Sequence, residues 1–114
     1  MKKIAIISIN ARWTHSNLAV YYLKKTISDL PVDVNVIEFN INQPLLEMLE
    51  ILHKSDADIL AFSVYIWNSD IVGKLITECK KILPDSLIVL GGPEVSYSAE
   101  QWLKNYSAID YIIC

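Results

Sequence analysis

Apolar positions along the chain recur at two spacings, and the alternation between them lays out the elements. A compact apolar run from Ile4 to Ile9 reads as a buried strand, and after a polar loop Leu18, Ala19, Tyr22, Leu23, Thr26 and Ile27 recur at helical spacing between about Asn17 and Asp29. Pro31 closes that helix. Val34 to Phe39 reads as a second strand, followed by a helix started by Pro44, whose buried face is Leu45, Met48, Leu49 and Leu52. A third strand spans Ile59 to Val64. Ile71, Val72, Leu75, Ile76, Cys79, Ile82 and Leu83 then predict a third helix, with Asn68 or Ser69 as its cap and Pro84-Asp85 as its end. The fourth strand, Leu87 to Leu90, gives way to Gly91-Gly92-Pro93; a short helix with Ala99, Trp102, Leu103 and Tyr106 on one side precedes a fifth strand, Tyr111 to Ile113.

Strands alternating with helices, and apolar on both faces, specify an α/β fold with a doubly wound parallel sheet built through right-handed crossovers. The expected strand order is 2-1-3-4-5, the flavodoxin-like arrangement. The other common Rossmann order carries a glycine fingerprint after its first strand, and Ser8-Ile9-Asn10-Ala11-Arg12 contains no glycine. Ligands of such sheets bind beyond the carboxyl ends of the strands. Here the third strand closes on Ser63 and the fourth on Gly91-Gly92, where the lack of side chains lets a bulky ligand lie against backbone.

Composition narrows the partners. The 114 residues suit one domain, 1–114, and with 53% hydrophobic residues, 20% charged and a formal charge of −3 the chain is neither disordered nor built to bind a polyanion. Nucleic acid and membrane surfaces are therefore not expected partners. No apolar stretch has the roughly 18 residues of a spanning helix, and Met1-Lys2-Lys3 leads into a strand without a cleavage pattern, so a cytoplasmic location is expected. Cys79 and Cys114 form neither a disulfide framework nor a Cys-x-x-Cys metal site. A helix normally covers the last strand of this fold, and the sequence stops at Cys114 first, which suggests a piece of a longer protein.

Three functions of doubly wound domains can be tried against the strand ends. A phosphorelay receiver needs acids after strand one to hold magnesium and an aspartate ending strand three; Ser8-Ile9-Asn10 and Ser63 stand there instead. A flavodoxin-type phosphate cradle needs a Ser/Thr/Gly-rich loop after strand one, but Asn10-Ala11-Arg12-Trp13-Thr14-His15-Ser16-Asn17 has a tryptophan and no glycine. For a corrinoid, Ser63-Val64-Tyr65 and Gly91-Gly92 resemble the second and third elements of the cobalamin-binding domain family, Ser-x-Leu/Val/Thr and Gly-Gly. The family's first element, Asp-x-His-x-x-Gly, is degenerate: His15 holds the histidine's place, Trp13 replaces the aspartate and Leu18 the glycine.

One branch of that family is a closer match. Ala11 to Ala19, Asn42-Gln43-Pro44, Tyr65-Ile66-Trp67-Asn68 and Gly91 to Ser96 resemble the amino-terminal domain of cobalamin-binding radical S-adenosylmethionine proteins, a group that includes anaerobic magnesium-protoporphyrin IX monomethyl ester cyclase-type proteins and methyltransferases. The resemblance covers essentially the whole chain. It implies cobalamin as cofactor, bound by Ser63, Val64, Tyr65, Gly91, Gly92, Pro93, Thr14, His15 and Ser16, with Ser63, Gly91 and Gly92 forming the nucleotide-tail tunnel and Thr14, His15 and Ser16 near the corrin or its lower side. His15 would be the candidate cobalt ligand, though Trp13 cannot fix its tautomer as the family aspartate does, and replacing His15 is expected to change little. S-adenosylmethionine and a four-iron four-sulfur cluster would belong to a carboxyl-terminal radical S-adenosylmethionine domain of the same chain, so no catalytic residue is expected within these 114 residues.

Blander readings stand beside these. Ser63 suits any strand end, Gly91-Gly92-Pro93 any tight strand-to-helix turn, and Thr14, Ser16 and Asn17 any helix cap. Tyr65 and Trp67 fit packing on a corrin or contact with a second domain equally well. Trp13 and Leu18 favour an alternative in which the domain has lost its cofactor and serves only as an interaction module.

Overall fold

The computed structural model describes residues 2–11, 24–27 and 29–113. Five strands, β1 (Lys2–Asn10), β2 (Val32–Asn40), β3 (Ile59–Ser63), β4 (Leu87–Gly91) and β5 (Tyr111–Ile113), form one sheet in the order β2-β1-β3-β4-β5. Every pairing is parallel, as the alternation of strands and helices predicts. The described helices are α1 (Leu45–Ser55), α2 (Ser69–Ile82), α3 (Pro93–Tyr97) and α4 (Ala99–Asn105). Of the helix predicted between Asn17 and Asp29, most lies outside the described residues; residues 24–26 are helical.

Register explains why one face of the sheet becomes the core. Ile7 is level with Ile37 on one side and Phe62 on the other, Phe62 with Leu90, and Leu90 with Ile112, so one apolar row crosses all five strands. A second row joins Ala5, Leu60 and Ile88. These rows share one buried cluster with Met48 and Leu52 of α1 and Val72, Leu75, Ile76 and Cys79 of α2. Burying an aliphatic side chain of this size contributes about 1.5–3 kcal/mol. Burial first, and the Glu78 carboxylate second, push the Cys79 thiol up to about 12. On the opposite face, Leu87, Tyr111 and Ile113 remain exposed.

The elements end where local chemistry stops them. Pro44 precedes α1 in an extended conformation, and Asp56 closes the helix in the left-handed region at φ 49°. The stretch from Pro93 to Asn105 differs from the single short helix predicted: it forms two, separated at Ser98 with φ −130°. Ser96 and Ser98 donate their hydroxyls to the carbonyls of Gly92 and Glu94, at 2.9 and 3.1 Å, an alternative that disfavours continuous helix. Ile82 and Leu103, expected on buried faces, are 40% and 46% exposed because both lie at the rim of their helices' apolar stripes.

The amino-terminal edge of the sheet is clipped by charge. Lys80 Nζ lies 2.8 Å from Asp110 Oδ2 and donates also to the Ser86 carbonyl at 3.0 Å, while the Ile88 amide donates to the same Asp110 oxygen at 2.8 Å. Partial desolvation of Asp110 opposes its ionisation, but the bonds from Lys80 and Ile88 and the Lys80 charge together outweigh it and hold the carboxyl below its ordinary value. This clip lies away from the carboxyl ends of the strands, which are left to the site.

Candidate cofactor site at the strand ends

Ser63 and Gly91 are the last residues of their strands and lie level with each other in the β3–β4 pairing. The two sequence features that pointed to a ligand are thus brought side by side. Among the described residues no hydrogen bond involves the Ser63 hydroxyl, and Ser63 is half-buried, so that group is available to an incoming molecule. Among the described residues, a Cβ built at Gly91 would come within 4 Å of the Ile113 carbonyl oxygen alone, at 3.8 Å, an ordinary contact. A Cβ at Gly91 therefore clashes with no described atom.

Gly92 lacks a side chain for a different reason. Its φ is +109°, and a Cβ there would fall 2.5 Å from the Val64 carbonyl oxygen. Both the backbone conformation and the close approach require glycine. Val64, just past the end of β3, answers: its amide donates to the Gly91 carbonyl at 2.8 Å and its carbonyl accepts from the Glu94 amide at 3.4 Å. The Val64 side chain is wholly buried in the core. Pro93 takes the first position of α3, where a missing N–H costs nothing. Of the Gly-Gly pair, it is Gly92 that makes the turn.

The loop from β3 into α2 is held by a residue whose part the sequence did not reveal. Asn68 stands at the cap position of α2, as predicted, but makes no side-chain cap bond. Its carboxamide turns inward: Nδ2 donates to the Ile9 carbonyl at 3.1 Å and the Ser63 carbonyl at 3.2 Å, and Oδ1 accepts from the Tyr65 amide at 2.8 Å. One side chain thus ties the carboxyl ends of β1 and β3 to the loop between them. The preference of asparagine for helix starts masked this bridge, because its main partner lies 59 residues away. Beyond it, the Tyr65 and Trp67 rings stack at 4.5 Å with planes 5° apart.

Toward β2 the same edge is polar. Ser8 donates to Asn10 Oδ1 at 2.9 Å, Asn10 donates to Glu38 at 3.4 Å, and the buried Asn40 accepts from the Asn42 amide at 2.8 Å. No cluster of three or more His, Cys, Asp or Glu able to hold a metal occurs among the described residues. Thr14, His15 and Ser16, with Trp13 and Leu18, lie outside the described residues. A wide hollow of about 700 Å³ beside α3 and α4, lined by Ser96 and Lys104 among others, includes none of the strand-end residues. The chemistry, rather than that shallow hollow, places the candidate site at Ser63 and Gly91.

The sequence of residues 4–114 matches the B12 binding domain family. The chain belongs to the B12-binding domain family. Among solved structures, the cobalamin-dependent S-adenosylmethionine radical enzyme OxsB, with aqua-cobalamin and S-adenosylmethionine bound, superposes with a TM-score of 0.82 at 16% identity. That match covers 96% of this chain and 16% of OxsB, so the chain spans about a sixth of that enzyme's length. A cobalamin-binding protein from Desulfitobacterium hafniense DCB-2 gives a TM-score of 0.63 at 14% identity, over 98% of this chain and 52% of that one. A CheY-like protein from Pseudomonas aeruginosa PAO1 gives 0.65 at 16% identity, over 96% and 84%. No curated protein matches the sequence. At these identities the superpositions establish the shared fold. This chain departs from the receiver pattern: Ser8, Asn10 and Ser63 stand where magnesium chemistry needs carboxylates. No helix among the described residues is long and apolar enough to cross a membrane.

Proposed function

We propose that this B12-binding domain binds cobalamin at the carboxyl edge of its sheet, with the nucleotide tail entering beside Ser63 and Gly91. The observation that carries the reading is the side-by-side placement of a Ser63 hydroxyl without a hydrogen bond among the described residues and of Gly91, where a Cβ would clash with no described atom. Their chemistry fits the group: the hydroxyl can donate to or accept from a polar tail, and the bare strand end admits bulk. Val64 and Gly92 form the floor by locking the two strand ends together, Pro93 fixes the turn, and Tyr65 follows in the loop toward the corrin. Thr14, His15 and Ser16 enter the proposal by resemblance, near the corrin.

Bound cobalamin supplies a cobalt centre able to carry a methyl group or an electron. The residues of this chain bind it, orient it and keep its tail out of water. In the parent protein, we infer, a carboxyl-terminal radical S-adenosylmethionine domain with an iron-sulfur cluster performs methyl transfer or cyclase-type chemistry, and this module alone does not turn over. OxsB, whose fold is shared over a small part of its length, supports that arrangement. Equilibrium dialysis of the chain against hydroxocobalamin tests the binding claim. Saturation at one cofactor per chain is expected, and retention no greater than that of an unrelated protein would refute it.

A further inference from the structure

The loop after β3 carries a preformed aromatic surface that a tail site does not explain. Tyr65 and Trp67 are stacked nearly parallel, and Trp67 is 50% and Ile66 76% exposed. Asn68, 1% exposed, holds the loop through three hydrogen bonds, and the Ser69 hydroxyl donates to the Ile66 carbonyl at 3.3 Å. The indole is therefore ordered before anything covers it. A ligand resting on it loses little to the ordering of side chains.

We propose that the exposed Trp67 ring, backed by Tyr65, is the platform on which the apolar face of the corrin macrocycle rests, while the Ser63 and Gly91 strand ends receive the nucleotide tail. This rests on the cobalamin reading above and assigns a separate subsite within it. Position distinguishes the two. Ser63 and Gly91 are paired inside the sheet, whereas Trp67 lies beyond the end of β3, in the loop and open to solvent. The chemistry is matched in kind. A conjugated macrocycle with peripheral methyl groups and amide arms offers a broad apolar face with a polar rim, and a stacked indole offers large, rigid apolar area.

The test compares hydroxocobalamin with diaquocobinamide, which keeps the corrin and lacks the nucleotide tail, by equilibrium dialysis with the folded chain. Trp67→Ala is expected to weaken both ligands about tenfold, a loss of ~1.4 kcal/mol. Trp67→Phe should restore most of the affinity, and Trp67→Leu keeps apolar bulk should the alanine variant fail to fold. Gly91→Trp should weaken hydroxocobalamin far more than diaquocobinamide. Unchanged diaquocobinamide affinity in both Trp67→Ala and Trp67→Leu would overturn the platform and leave the stack to protein contacts. A loss confined to hydroxocobalamin would overturn it too, since the stack would then hold the nucleotide base, as would wild-type chain that binds hydroxocobalamin but not diaquocobinamide. Wild-type chain that binds neither ligand instead defeats the cobalamin reading itself.

Discussion

Replacing Asn68 with alanine should disable the strand-end edge more than any comparable change in the loop. The substitution strips donors from the Ile9 and Ser63 carbonyls and an acceptor from the Tyr65 amide. A buried polar group left without a partner costs about 1–3 kcal/mol. The neighbouring Ile66 and Trp67 are exposed, so water can reach part of the vacated space, which places the total near the low end of each range. We expect a loss of about 3 kcal/mol. For a domain of 114 residues the unfolding entropy is about 0.24 kcal/mol/K, so Tm should fall by about 12 °C. Thermal and urea unfolding followed by circular dichroism measure this, with the urea midpoint falling and the slope unchanged. Asn68→Asp keeps the Tyr65 bond but turns a carboxylate oxygen toward two carbonyls, so at pH 7 it should be no more stable than Asn68→Ala. Ser69→Ala, which removes only an exposed bond to Ile66, should stay within about 0.5 kcal/mol of wild type. An Asn68→Ala loss as small as that of Ser69→Ala, or a stable Asn68→Asp, would refute the bridging role.

Two further outcomes follow from the titrating groups. The folded-state pKa of Asp110 is lowered, so its contribution to stability is fully present above the unfolded carboxylate value of about 3.9 and is lost as pH falls through the lower folded value. Urea unfolding of wild type and Asp110→Asn should therefore show a stability gap that narrows in acid; a gap constant down to the acid transition would contradict the Lys80 clip. Cys79, buried with its thiol pushed up to about 12, should resist iodoacetamide at pH 8 until the protein is unfolded in urea. Peptide-resolved mass spectrometry reads this, and rapid native labelling of Cys79 would refute its place in the core.

The parts legible from sequence were those set by period and local chemistry. The apolar runs around Ile7, Phe62 and Leu90 gave the strands, and the glycine-free loop start after β1 favoured the order that register now shows. Ser63 and Gly91 were also foreseeable as neighbours, because each ends a run of the same length class in adjacent strands. What stayed hidden depends on partners distant in the chain. Asn68 looked like a helix cap because capping is the local use of asparagine, whereas its amide reaches Ile9 across the sheet. The two glycines looked alike, and the φ of +109° together with the approach of Val64 separates the turn-making Gly92 from Gly91. The break at Ser98 arises from serine hydroxyls that compete with the helix backbone, a balance that apolar spacing does not register.

We propose that cobalamin's tail passes the strand end at Gly91. An absorbance titration of hydroxocobalamin with wild-type chain and Gly91→Trp, both verified as folded by thermal melting, tests it most directly. Among the described residues a Cβ at Gly91 meets nothing closer than the Ile113 carbonyl oxygen at 3.8 Å, and the melting check separates a loss of affinity from a loss of fold. The expected result is a saturable spectral change with wild type that Gly91→Trp abolishes or weakens at least tenfold at undiminished stability. Equal binding by the two proteins would mean that the tail does not pass Gly91.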